Sequence, residues 1–171
     1  MNNLIRAAAA GVLLSLGTAA AAGAQGGSPA PAAPHRESVV TNHASGTFEV
    51  KLNPQAPEEN VGDPTIGRMS LDKQFHGDIE GTSKGQMLTA GATVKDSGAY
   101  VAVERITGTL HGKRGSFVVH HTGVMTRGAP HLTITVVPDS GTGELAGLSG
   151  TMTITIAEGR HFYEFDYTMP K

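Results

Sequence analysis

The stretch from Arg68 to Leu88, RMSLDKQFHGDIEGTSKGQML, divides residue by residue between two faces. Phe75, Gly77, Ile79 and Gly81 fall on one side; Gln74, His76, Asp78 and Glu80 fall on the other. A repeat of two belongs to extended chain with one face buried, because successive side chains of a strand point in opposite directions. Read as one strand, the stretch sets His76, Asp78 and Glu80 in a row, about 6–7 Å apart at a rise of roughly 3.3 Å per residue.

The same period returns along the chain. Thr47–Leu52 (TFEVKL) places Phe48, Val50 and Leu52 on one face. Tyr100–Leu110, Ser116–Thr126, His131–Val137, Thr151–Ile156 and His161–Thr168 read as further strands, rich in β-branched and aromatic residues. Turn chemistry separates them at Lys95–Gly98, His111–Gly115, Arg127–Pro130, Pro138–Gly143 and the Glu158-Gly159 pair, and Glu144–Gly150 reads as a Gly-punctuated corner. Asn53–Thr65, with its three prolines, reads as a long loop, of a length often used for lids or binding, or else as a plain solvated excursion. No segment carries a convincing helical period. An all-β fold follows, an antiparallel up-and-down β-barrel of about eight strands, with a two-sheet sandwich as the alternative. At eight strands the interior either packs full or holds one small ligand.

The first residues read differently. One positive charge in Met1–Arg6, an Ala/Leu-rich run to Gly23 and small residues around Ala24 form the pattern of a cleaved secretory signal, cut after Ala24. Residues 25–44 open on QGGSPAPAAP, a Pro/Ala/Gly-rich linker that cannot build a core, and the barrel domain is assigned to 45–171. The protein is therefore expected in the periplasm or secreted. It contains no Cys, so packing alone must hold it together. A net charge of −2 over 171 residues offers no electrostatic footprint for nucleic acid or, once the signal is cut, for a membrane surface.

Three strings, IGRMSLDKQFHGDIEGTSKGQML, YVAVERITGTLHGKRGSFVVHHTG and VVPDSGTGELAGLSG, followed by HFYEFDY, carry a resemblance that spans roughly Thr47 to Met169. They resemble a bacterial domain family of unknown function whose members adopt a calycin-like barrel similar to that of plant allene oxide cyclase. The Gly141–Gly150 corner is also similar to the turn of allene oxide cyclase and dirigent barrels. The resemblance implies the fold. It implies no reaction, since the family has none assigned and the cyclase link is an analogy of fold.

The candidate chemistry is sparse. His76, Asp78 and Glu80 offer imidazole and carboxylates for a metal or for acid–base work, but neighbours two apart on one strand do not converge on one ion, and a solvated outer face explains them. Glu104 depends on register. With Tyr100, Ala102 and Ile106 it faces the lumen, where burial would raise its pKa and make it a proton donor or acceptor; in the other register Val101 and Val103 face inward and Glu104 is exposed. His121 shares a face with Phe117, Val119 and Met125 and so points inward, either as a hydrogen-bonded core residue or as a functional one. Tyr163, Phe165 and Tyr167 with His161 form the most aromatic face, suited to core packing or to lining an apolar pocket. There is no Gly-x-Ser-x-Gly elbow, phosphate loop or His-Glu-x-x-His helix.

The expectation that asks least of these residues is a lumen holding one small, partly apolar or amphipathic molecule. His76, Tyr100, Phe117, Met125, Phe165 and Tyr167 are the candidate ligand contacts. An isomerase or cyclase that moves a proton with Glu104, Glu80, His121 or Tyr163 is the alternative, and a structural domain with a filled barrel the second alternative. The residues call for no cofactor and no metal, and a homo-oligomer stays open beside a monomer.

Overall fold

A computed structural model of the chain describes residues 40–56 and 62–170. Eight strands run β1 (Asn42–Gln55), β2 (Ile66–Gly77), β3 (Ile79–Gly91), β4 (Gly98–Leu110), β5 (Lys113–Thr126), β6 (Ala129–Val136), β7 (Ser149–Ala157) and β8 (Arg160–Thr168). Each pairs antiparallel with the next, and β8 pairs with β1 to close the barrel. The architecture is the up-and-down barrel that the alternation predicts. The three-residue 3-10 turn Gly143–Leu145 is the one helical element among the described residues. The residues read as a signal segment and most of those read as a linker lie outside the described residues. β1 starts at Asn42, inside the stretch read as linker.

The period-two reading needs one correction. Arg68–Leu88 is not one strand but most of a hairpin: β2 ends at Gly77, Asp78 turns the chain, and β3 starts at Ile79. Pairing between them runs out to Phe75↔Gly81. The faces survive because the turn keeps Phe75 and Ile79 both inside, each at most 1% exposed. Gly77 takes φ 109°, open to glycine at little cost, and its N–H donates to Glu80 Oε1 at 2.8 Å. Asp78 ties the turn to its surroundings, accepting from the Ser45 N–H on Oδ2 at 2.8 Å while its own N–H donates to the Ser45 carbonyl at 3.0 Å.

Three other hairpins use the two-residue pairs His111-Gly112, Arg127-Gly128 and Glu158-Gly159, with both residues of each at positive φ. That geometry matches the right-handed twist of the flanking strands.

The two ends of the barrel differ. The end carrying the β2–β3 and β4–β5 turns and the β6–β7 connection is packed shut. Phe75, Ile79, Ile106, Leu110, Phe117, Tyr163 and Phe165 fill it, with Leu145 and Leu148 of the Gly-punctuated corner as a plug, all at most 1% exposed. Phe117 stacks on Phe165 with centroids 5.6 Å apart. Toward the other end the core thins to Leu71, Met87 and Ala102, flanked by Met69 and Tyr100.

Outside the closing β1–β8 seam, His43 of β1 bridges two carboxylates of β8. Nδ1 lies 2.8 Å from Asp166 Oδ1 and Nε2 2.7 Å from Glu164 Oε2. Two acceptors favour the doubly protonated ring, so the bonds to Asp166 first and Glu164 second raise its pKa above 6.5. The seam contact is therefore fully present below about pH 6.5 and is lost as pH rises through the raised value. In an NMR titration His43 is expected to titrate above 6.5 and Asp166→Asn to bring it down; a wild-type midpoint at or below 6.5 would remove the clamp.

Candidate functional site

Between the packed end and the thinner end lies a layer of buried polar side chains. Lys73 (8% exposed), Ser83 (2%), Glu104 (1%) and His121 (5%) come from four successive strands, β2 to β5. The register that was open in the sequence is decided here: Tyr100, Ala102, Glu104 and Ile106 face the lumen, while Val101 and Val103 are outside and about half exposed.

The residues meet along the tilt of the strands. Lys73 is the direct partner of Ser83, Ser83 of Ile106, Gly85 of Glu104, and Ala102 of His121. Glu104 is thus diagonal to Ser83 and to His121, within reach of long side chains. Lys73 must reach across β3, and the glycine opposite Glu104 makes room. A Cβ on Gly85 would lie 3.0 Å from the Glu104 Cα and Cβ and 2.6 Å from the Val103 carbonyl oxygen.

Lys73 Nζ donates to Glu104 Oε2 at 2.8 Å, and Ser83 Oγ donates to Oε1. The ammonium also sits over the Phe48 ring, 4.8 Å from its centroid, with Phe75 at 5.7 Å. His121 Nε2 is 3.1 Å from Glu104 Oε2, close enough for the ring to favour the charged carboxylate. The approach is off the hydrogen-bond direction, and Nε2 is left buried without a hydrogen-bond partner.

Burial by itself would push the Glu104 pKa up, as expected from its apolar surroundings. His121, the Lys73 charge and hydrogen bond, and Ser83 together outweigh it and bring the carboxyl from 4.5 down to about 2. The expectation of a raised pKa is overturned, because the lumen at that level is not apolar. Lys73 and Ser83 were missed in the sequence, although Leu71-x-Lys73-x-Phe75 and Ile79-x-Gly81-x-Ser83 carry the inward period.

One inward step further along β4, β5 and β6, the Ala102↔His121↔Ile134 row gives way to Tyr100↔Gly123↔Leu132. Here a recess of about 450 Å³ opens, lined among others by Thr89, Tyr100, Gly123, Met125, Pro130 and Leu132. The Tyr100 ring rests on Gly123, where a Cβ would come within 2.2 Å of it. Burial, and then the Glu104 charge, raise the Tyr100 pKa, so its hydroxyl stays protonated. A separate notch of about 310 Å³ lies where β1 parts from β8, but the charged Glu49 and Arg160 share its rim.

The remaining candidates scatter. His76 and Glu80 stand on the outer wall, not on the lumen; the hairpin brings His76 Nδ1 to 3.8 Å from Glu80 Oε2, with both side chains about half exposed. Among the described residues no three His, Asp or Glu side chains are placed to hold a metal ion. Phe117, Phe165 and Tyr167 are packed into the closed end, away from the recess. Tyr163 is there too, its oxygen accepting from the Ile79 N–H at 2.7 Å and its pKa pushed by burial to about 12. Of the expected ligand contacts only Tyr100 and Met125 line the recess; of the expected proton carriers only Glu104 and His121 come together.

Fold and site together define a class: a small closed antiparallel barrel, packed at one end, with an ion-paired layer across its lumen. Residues 44–167 match a family described as protein of unknown function, DUF3224, and the chain belongs to that family. Among solved structures it is similar to a DUF3224 protein with unknown function from Shewanella oneidensis MR-1. The two are 46% identical, the match covers 77% of this chain and 100% of that one, and the TM-score is 0.69. None of the curated proteins matches the chain.

Proposed function

We propose that the barrel binds one small, partly apolar molecule in the recess beside Tyr100. The observation that carries the reading is the recess itself: about 450 Å³, within the range of small-molecule sites, with aromatic and aliphatic lining and a few polar groups one layer below. Binding is preferred to proton transfer because a carboxyl held near pKa 2 is a poor base at neutral pH. The leader read over Met1–Ala24 supports an exported protein as the setting.

The neutral fluorophore N-phenyl-1-naphthylamine tests the site. Saturable enhancement of its fluorescence is expected with the wild type. Leu132→Trp, which fills the recess from β6, should weaken it by about tenfold or more. Circular dichroism checks that the variant folds; if it does not, Thr89→Leu fills the same space from β3. No saturable signal, or equal affinity in a folded filling variant, sinks the reading.

A further inference from the structure

We propose that the open edge of β1 takes the C-terminal end of an extended peptide as an added strand, with the terminal carboxylate at Arg160. This is a second site, independent of the recess beside Tyr100.

The edge exists because β8 stops short of the end of β1. Their pairing finishes at Phe48↔His161, whereas β1 runs on to Gln55 along β2. From Glu49 to Gln55 no strand among the described residues lies on its other side. Backbone groups of an antiparallel strand turn alternately to its two neighbours. The Ser45 N–H and carbonyl both bond Asp78, where β2 turns into β3, so Ser45 faces β2. Gly46 and every second residue after it face β8 instead, and past Phe48 these are Val50, Leu52 and Pro54. Val50 and Leu52 each present an N–H and a carbonyl to the open side; Pro54 presents a carbonyl alone.

The notch of about 310 Å³ lies at the foot of this edge, lined among others by Glu49, Val50, Gly159 and Arg160. β8 runs antiparallel to β1 and begins at Arg160. A peptide laid end to end with β8, and antiparallel to β1 like it, therefore brings its C-terminus to Arg160. That side chain is exposed and lies over the Phe162 ring, 5.3 Å from its centroid. No carboxylate of the described residues pairs with it. Glu49 leans the other way, its Oε2 4.0 Å from His76 Nε2 on β2. A guanidinium offers a carboxylate two parallel N–H bonds.

The edge suits a short peptide better than a second copy of the chain. Pro54 ends the run of donors, and Lys51 puts a charge on the edge; both features discourage strand-to-strand pairing between whole molecules. A segment that stops before Pro54 meets neither obstacle. A residue opposite Leu52, which is 47% exposed, would cover it, and an acid opposite Lys51 would make a cross-strand ion pair.

Dansyl-Thr-Val-Glu-Val is the probe, with its last Val opposite Val50, Glu opposite Lys51 and the first Val opposite Leu52. Fluorescence anisotropy should rise saturably with the free acid, and the C-terminal amide of the same peptide should bind about tenfold more weakly. Arg160→Gln should bring the acid down to the affinity of the amide. Leu52→Pro removes an edge N–H but no bond to β2, and should abolish binding of both, with circular dichroism checking that it folds. In the wild type the Val50 and Leu52 amides should exchange freely with water and become protected once the acid is bound. The proposal is overturned by no saturable rise, by equal affinity for acid and amide, or by unaltered binding in either folded variant. Unprotected Val50 and Leu52 amides with the acid bound overturn it too. So does sedimentation of the free protein as a dimer that Leu52→Pro dissolves, which gives the edge to a second copy.

Discussion

Replacing Glu104 with Gln is expected to cost the barrel about 3–5 kcal/mol, the range for removing one partner of a buried ion pair. Gln keeps the shape of the side chain but leaves the Lys73 ammonium, 8% exposed, without its carboxylate. The ring faces of Phe48 and Phe75 cannot replace a charge-assisted hydrogen bond in full. Combining Glu104→Gln with Lys73→Met removes both charges, and most of the loss should return, because an apolar replacement of a whole buried pair is often near neutral. Urea unfolding of the wild type, the single variant and the double variant measures the three values. A single variant within about 1 kcal/mol of wild type would mean that the pair is not what holds Lys73 inside.

The same pair predicts the acid limb of stability. The Glu104 carboxyl has its pKa near 2 in the folded barrel against 4.5 outside it. The group's contribution is therefore complete above 4.5 and is lost as pH falls from 4.5 to about 2. At 1.36 kcal/mol per unit this amounts to about 3 kcal/mol. Glu104→Gln should flatten that part of the pH–stability curve, and an unchanged slope would place the acid sensitivity elsewhere.

Gly46→Ala is the second large effect, expected to cost about 3 kcal/mol or more, at or beyond the upper end for forcing one methyl group into a packed site. Gly46 pairs with Gly77 on one side and Tyr163 on the other, at the seam that closes the barrel. A Cβ there would lie 2.1 Å from the His76 carbonyl oxygen and 2.7 Å from the Tyr163 hydroxyl. The first contact is backbone and cannot swing aside, so β1 must lift from β2. The second would push Tyr163 off the Ile79 N–H it accepts at 2.7 Å. Gly91→Ala is the control, since a Cβ there meets nothing within 4 Å. Denaturant midpoints should separate the two variants clearly; a Gly46→Ala barrel as stable as the Gly91→Ala one would show that the seam is looser than its geometry.

The barrel and its turns were legible because they rest on local rules. Thr151–Ile156 alternates whatever lies opposite, and Glu158-Gly159 forms a tight turn with both residues at positive φ, 52° and 74°, which the glycine of the pair adopts at little cost. Even so, the alternation hid the turn at Asp78. The hairpin returns each side chain to the face it would have had in an uninterrupted strand, so the period runs through unbroken. Local pattern also left Glu104 undecided, since both faces of VAVERI are apolar enough to be buried.

The chain by itself determined that strands with one apolar face would roll into a barrel, because side-chain alternation is a property of extended backbone. Only the tertiary structure decided which side chains meet inside it. Lys73 and Glu104 are 31 residues apart and on strands that are not neighbours, joined over a glycine. Such a partnership depends on closure and strand tilt, which no repeat along the chain encodes, and together with His121 and Ser83, brought in from β5 and β3 by the same closure, it turned the Glu104 pKa down where burial would have turned it up.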